Sequence, residues 1–400
     1  RLTYADAGTG ATYRAGIDSL TLRGDGPDAP LELDFAGSYN DAPISLAATL
    51  GAPVEMIRPT RPWPVDATLE AGGATVTVKG TIAEPVRAKG LDLAVAVEGD
   101  ELGDMSALAG AELPKLGAYS LSTGVAGDPA EAITLSGLEG RLAGSDVAGD
   151  VKIALAGARP AIAATLASNR IDLDALGGGA GAAAGAAGGA AAPPAQEGRV
   201  FPDDPLPLEG LRAVDAKIDL DAKLILAGGA RLENAKAGVS LAAGNLQIRP
   251  LTAAIADGAL DGTIGLDGRR DAAALVVKAA IEKVDLDRLL SELKITEDVE
   301  GRANIDIDVA GQGGSVRRIM ASLDGRAGLL MGQGRMKTSF MQSMLGGSGE
   351  LLNQVLDKGK AGYTLVTCAV ADFAIKDGLA TSKALYLDTC LLYTSPSPRD

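Results

Sequence analysis

Four Asp-x-Asp pairs are the residues whose type and spacing could first do chemistry: Asp172/Asp174, Asp219/Asp221, Asp285/Asp287 and Asp306/Asp308. Carboxylates two apart on a strand share one face and could ligate Ca²⁺ or Mg²⁺ together. The stretch NIDIDVAGQGG around the last pair lacks the glycine spacing and terminal Glu of a calcium loop. Apolar residues alternate with the acids as a strand requires, so a solvated polar face is the better reading. Two of the four, Asp172 and Asp285, precede apolar turns and read as helix caps. No metal site is expected.

Other chemistries are closed off by composition. The sequence has no histidine, which removes the commonest general base, the commonest metal ligand and every His-containing triad. Two cysteines, Cys368 and Cys390, supply neither a disulfide framework nor a zinc cage. GGGAGAAAGAAGG (177–189) has the small residues of a phosphate-cradling loop. It lacks GxGxxG spacing before a helix and has no Lys-Ser/Thr. Ser315 beside Arg317 and Arg318 reads as a helix start. No paired carboxylates are arranged for hydrolysis. The expectation is a non-enzyme with no catalytic residue and no cofactor. Net charge is −15 with the 37 basic residues scattered, which argues against nucleic acid.

The elements that would position such residues are strands. Val76, Val78 and Ile82 alternate with Thr75, Thr77, Lys79 and Thr81. Leu91, Leu93, Val95 and Val97 do the same, as do segments 151–157, 217–226 and 303–311. Period two means half-buried strands. Gly and Asp-Gly turn signals fall every eight to twelve residues, as antiparallel neighbours need. Helices of ten to fifteen residues do not alternate with strands, which argues against a parallel βαβ fold. Aromatics are only 3% of the chain, which suits a thin, extended architecture.

A loose repeat runs through the sequence. Its copies end at Leu108, Leu176 and Leu290. Each has a strand, a turn, a second strand and a closing Asp-x-x-x-Leu element: Asp104–Leu108, Asp172–Leu176 and Asp285–Leu289. The unit reads as a β-hairpin ending in a helical turn, stackable in a row. Short helices are expected at 315–323 and 336–356. The Gly/Ala/Pro-rich stretch 177–198 reads as a linker between an N-terminal β-repeat segment (1–176) and a C-terminal β region (199–389). The chain opens at Arg1 without a signal peptide or anchor of its own and reads as an internal fragment. CLLYTSPSPRD (390–400) breaks from the preceding pattern. It resembles translated sequencing-adapter read-through; a disordered tail is the alternative.

The second half, 201–389, resembles the C-terminal region of the AsmA family of bacterial envelope proteins. The residues that carry this include PLPLEGLRAVDAKIDLDAKLIL, VEGRANIDIDVAGQGGSVRRIMASLDGRAGLLMGQGRM and TCAVADFAIKDGLATSKALYLDT. The first half resembles the segment before it, notably in ELPKLGAYSLSTGVAG and SDVAGDVKIALAGARPAIAATLASNRIDLDAL. The resemblance implies a mainly β fold: a long, twisted antiparallel sheet curled into a groove with an apolar lining, like bridge-type lipid-transfer proteins. It implies an inner-membrane anchor outside this chain, a periplasmic location, and phospholipid movement in support of outer-membrane biogenesis and envelope homeostasis.

An antiparallel sheet apolar on one face leaves open what covers that face. Acyl chains would, in a lipid-binding groove. Its expected lining is Val76, Val78, Leu91, Leu93, Val95, Val97, Ile153, Leu155, Ile218, Leu220, Leu224, Leu226, Ile305, Ile307 and Val309. The same residues could instead pack against a second sheet. The alternative function is a protein-binding scaffold or regulator of outer-membrane protein assembly, using an open sheet edge to meet outer-membrane or periplasmic proteins.

Overall fold

The computed structural model describes residues 2–5, 12–40, 42–58, 60–109, 113–176, 201–337, 362–389 and 393–394. The fold is mainly β, with open, curled antiparallel sheet and a few short helices. The alternating segments become long strands, and the Gly and Asp-Gly signals become the tight turns between them.

The described chain divides into two units. The first is a meander. Its strands are β1 (Leu2–Ala5), β2 (Thr12–Arg23), β3 (Leu31–Tyr39), β4 (Ala42–Leu50), β5 (Trp63–Ala71) and β6 (Ala74–Glu84). They continue as β7 (Lys89–Gly99), β8 (Tyr119–Asp128), β9 (Ala132–Leu142), β10 (Ser145–Ala154) and β11 (Ala161–Ser168). Each pairs antiparallel with the next. The short strand β12 (Ile171–Asp172) follows, and the boundary between the units falls within β13 (Asp215–Ala227).

The second unit repeats the pattern with β14 (Ala230–Ala242), β15 (Asn245–Ile255), β16 (Gly258–Asp267) and β17 (Ala273–Asp285). Then come β18 (Val299–Gly313), β19 (Asp324–Lys337), β20 (Tyr363–Lys376), β21 (Leu379–Thr389) and β22 (Tyr393–Thr394). Here too each strand pairs antiparallel with its successor. The helices are α1 (Pro53–Ile57), α2 (Ser106–Ala109), α3 (Leu208–Ala213), α4 (Leu286–Glu292) and α5 (Val316–Ala321).

The three repeat copies are hairpins closed by helical turns. The capping carboxylate differs among them. Asp285 caps α4, accepting from the Arg288 N–H at 3.2 Å. Asp172 accepts from the Ala175 N–H at 2.9 Å. In the first copy the cap is Glu101, not Asp104. It accepts from the Gly103 and Gly117 N–H groups at 3.2 and 3.1 Å, because the turn begins at Leu102, ahead of Asp104. The helix expected at 315–323 is α5, with Ser315 as its N-cap. Of the helix expected at 336–356, Met336 and Lys337 instead end strand β19. There they continue the cross-strand ladder opposite Val299 and Tyr363. The remainder of that segment, and the 177–198 linker, lie outside the described residues. Within 390–400 only Tyr393 and Thr394 are described, paired with Asp388 and Leu387.

The two units bury apolar residues very differently. In the first, the only buried apolar residues among those described are Ala52, Trp63, Ala74 and Ala164. Trp63 is the single large one. The second has a real core: α4 brings Leu286 and Leu289 against Ile255, Val284, Val299, Met331 and Val366.

Close strand approach depends on glycine at the head of two repeat copies. Gly80 and Gly149 have φ of +147° and +151°. A Cβ there would lie 2.1 Å from the Asp92 carbonyl oxygen and 2.0 Å from that of Thr165. Both the dihedral and the clash oppose a side chain. Gly80→Ala and Gly149→Ala should each destabilise the protein by roughly 1–3 kcal/mol, read as a lower urea midpoint. Gly144→Ala meets nothing within 4 Å, so it reports the dihedral cost alone and should fall less.

Candidate functional site: an uncovered apolar sheet face

Residues directly opposite in an antiparallel pair share a face, so register alone traces the site. In the first unit one row runs Leu31, Leu50, Val65, Gly80, Leu93, Val125, Leu135, Val151, Ala164. It crosses nine strands, β3 to β11. Beside it run Leu33, Ala48, Ala67, Val78, Val95 and Phe35, Leu46, Leu69, Val76, Val97, Leu121. On the other side lies Trp63, Ile82, Leu91, Gly127, Ile133, Ile153, Ile162. Val76, Val78, Leu91, Leu93, Val95, Val97 and Ile153 therefore sit together on one face, all half-buried. Leu155 does not join them. It falls past the end of β10, in a loop held by its N–H to the Glu131 carbonyl at 2.8 Å, and is exposed.

The face continues onto β2 and loses cover there. Leu22 and Leu20 stand opposite Leu33 and Phe35, and Ile17 opposite Gly37. They are 61%, 61% and 67% exposed. Alternation does not reveal these three, because a register shift between Ile17 and Ser19 inserts one residue and breaks the period. The β3 to β5 members were readable from the alternation of Leu31, Leu33 and Phe35 but escape a search for the longest alternating runs.

On β13, Ile218, Leu220, Leu224 and Leu226 are half-buried, with Ala222 between them fully buried. Lys217, Asp219, Asp221 and Lys223 occupy the opposite phase and are exposed. In the second unit one row runs Val239, Ile248, Ile264, Val277, Val309, Gly325, Ile375. Another runs Leu260, Ile281, Ile305, Leu329, Ala371, Leu385. Ile307 lies between them, opposite Ala279 and Ala327. Protein covers part of this face. Ile305 packs against the α4 cluster and Val309 is 8% exposed, while α4 and α5 both lie against β17 and β18.

The opposite face carries the charged residues, with Val276 and Leu330 exposed among them. Asp221 pairs with Lys236 at 3.6 Å, Asp306 with Arg326 at 3.3 Å, Asp308 with Lys278 at 3.4 Å and Asp66 with Lys79 at 3.4 Å. These are exposed cross-strand pairs, worth little individually. Among the described residues no cluster of His, Cys, Asp or Glu could hold a metal ion. Asp172 is tied to Arg170 at 2.7 Å. Ser315 is 2% exposed and donates to Asp203 at 2.9 Å. A shallow depression of about 470 Å³, lined by Asp306, Arg326 and Asp372 among others, opens on the polar face.

The perturbed carboxyls belong to turns. The Ala130 N–H, then Lys89, holds Asp128 below the ordinary range. Burial pushes Asp146 up, but the Arg170 N–H, Asn169 and Ser168 outweigh it and hold it low. The Ala175 N–H and Arg170 lower Asp172. The Arg269 guanidinium brings Asp267 down to about 2.

Residues 58–385 match the model of the AsmA family. The chain belongs to the AsmA family. It is 23% identical over 372 residues to the AsmA family protein YhjG of Escherichia coli (strain K12). The alignment covers 89% of this chain and 54% of that protein, so the chain spans about half the length of the curated relative it matches. No solved structure matches. AsmA membership ties the chain to the cell envelope, and the family is not a known enzyme family. No helix among the described residues is long and apolar enough to cross a membrane.

The carboxyl shifts fix a pH dependence. A carboxyl with a lowered folded pKa stabilises the fold above its unfolded pKa, and that contribution is lost as pH falls through the folded value. With no histidine to titrate, the urea midpoint should be flat from about pH 5 to 8. It should fall as pH drops from about 4 towards 2, the window set by Asp128, Asp146, Asp172 and Asp267. A slope between pH 5 and 8 would contradict this.

Proposed function

We propose that this chain binds phospholipid acyl chains on its apolar sheet face and passes them along it. It does so without chemistry, across the periplasm, in support of outer-membrane biogenesis and envelope homeostasis. One observation carries the reading: the first unit has in-register apolar rows across nine strands, yet only four of its described apolar residues are buried. A sheet of that kind has not buried its apolar face against itself. Apolar area left in water forgoes about 25 cal/mol per Å², so the face favours an apolar occupant.

Acyl chains fit the demand. A phospholipid with about thirty methylenes loses roughly 20 kcal/mol of burial in water, at ~0.8 kcal/mol per CH₂. A carrier must therefore offer apolar surface without a gap, and rows continuous from strand to strand do that. Turnover needs no reacting group.

The scaffold alternative rests on an open edge, and β21, which β22 meets only at Leu387 and Asp388, is guarded along the rest of its length. Lys383 is the extra residue at a register shift where Ala384 opposes Asp372 and Ser382 opposes Phe373. An edge lysine on a bulge discourages strand addition.

The test is site-specific photocrosslinking in cells, in the full-length parent protein. Probes at Val95 and Leu224 should form phospholipid adducts detectable by mass spectrometry. Probes at Asp92 and Asp221, in the opposite phase, should not. Folded protein with no adduct at either phase would overturn the lipid reading.

A further inference from the structure

We propose that the end of the first unit built from α1 and the turn Pro85–Arg87 docks on the surface of an anionic phospholipid bilayer. The two segments connect β4 to β5 and β6 to β7, and they pack side by side. Each presents a large apolar side chain to solvent: Ile57 is 78% exposed and Val86 71%. They are the two most exposed large apolar residues described. Single exposed apolar residues mean little. Two on adjoining loops, ringed by cations, make an interfacial patch.

The charges around them are sorted by direction. The Arg61 and Arg87 side chains are 70% and 72% exposed, while their partners Glu55 and Glu84 are 10% and 44% exposed. Glu55 is held inward by Arg61 at 2.5 Å. Lys89 faces outward more than its partner Asp128, 40% against 19%. Arg58 is exposed and takes no carboxylate among the described residues. In each of these pairs the cation is the more exposed partner, which complements lipid phosphate, and the exposed Glu131, beside Lys89, bounds the patch on the β8–β9 side. The chain's net charge of −15 does not forbid this, because salt screens charges beyond about 8 Å at physiological ionic strength. Asp25 and Asp28 lie on the neighbouring loop, which meets α1 where the Val54 N–H donates to Pro27 at 3.0 Å. They bound the patch on that side.

The patch adjoins the apolar rows. Trp63 and Ile82 end one row at this rim, and Trp63 donates to the Ala52 carbonyl beside α1 at 3.2 Å. A bilayer docked here stands at the mouth of the apolar face, so the purpose of docking, lipid exchange, rests on the function proposed above.

The experiment is co-sedimentation of the full chain with phosphatidylethanolamine–phosphatidylglycerol vesicles, against pure phosphatidylcholine. The chain should sediment with the anionic vesicles. The doubles Ile57→Ser/Val86→Ser and Arg58→Glu/Arg87→Glu should each weaken binding about tenfold or more. Leu379→Ser, removing a residue 69% exposed in the second unit, should not. Wild-type protein that stays in the supernatant, or doubles that sediment as well as wild type, would overturn the proposal. Lipid co-purifying with the doubles separates the two readings. If it is unchanged while docking is lost, the patch and the groove act independently. Leu93→Asp, in the apolar row, should lose co-purifying lipid yet still sediment; a Leu93→Asp protein that stays in the supernatant would overturn the assignment of docking to the patch.

Discussion

An antiparallel sheet can satisfy every internal backbone hydrogen bond while leaving one face apolar and bare. That permission is the constraint on which the rest of this structure depends. A helix depends on burying its apolar stripe, whereas long antiparallel strands satisfy one another's backbone groups through the ladder and leave the cover of a face to a separate partner. The first unit uses that freedom almost completely. Leu93 lies between Gly80 and Val125 in an apolar row over which the described residues place no helix or second sheet. The second unit uses it partly, since α4 covers the end where Val284, Val299 and Met331 meet.

Other features follow from keeping such a sheet regular and soluble. Gly80 and Gly149 let neighbouring strands approach where a Cβ would meet a carbonyl oxygen. Short helices occupy strand ends, where Asp285 and Ser315 cap α4 and α5. The polar face carries cross-strand Asp–Lys and Asp–Arg pairs such as Asp308–Lys278. These pairs add little stability, yet they keep the second phase of each strand in water. The acidic pairs that looked capable of metal binding serve as caps or as members of this solvated face.

Much of this was legible in the sequence because period two is a direct image of the two faces. Val76 and Val78, and Leu91, Leu93, Val95 and Val97, could be grouped strand by strand from alternation alone, while it is the register that puts them on one face with Ile153. What alternation could not give is where a strand stops or slips. Leu155 kept the phase but lies beyond β10. Ile17, Leu20 and Leu22 broke the phase yet share the face, because of one inserted residue. Alternation is also silent about cover. Ile305 and Ile307 look equivalent in sequence, but only Ile305 packs against the α4 cluster. Which face a residue takes is local information; what lies over that face is set by elements far along the chain.

The central claim is that the apolar face is open to lipid rather than closed by protein. Native mass spectrometry of the full chain, purified without added detergent, tests it most directly. The account predicts bound phospholipid on the wild-type protein. It predicts at least a tenfold reduction in Leu93→Asp, which puts a charge among acyl chains, and little change in Ala94→Asp on the opposite face. Wild-type protein that is folded and free of lipid, or equal lipid on all three proteins, would contradict it.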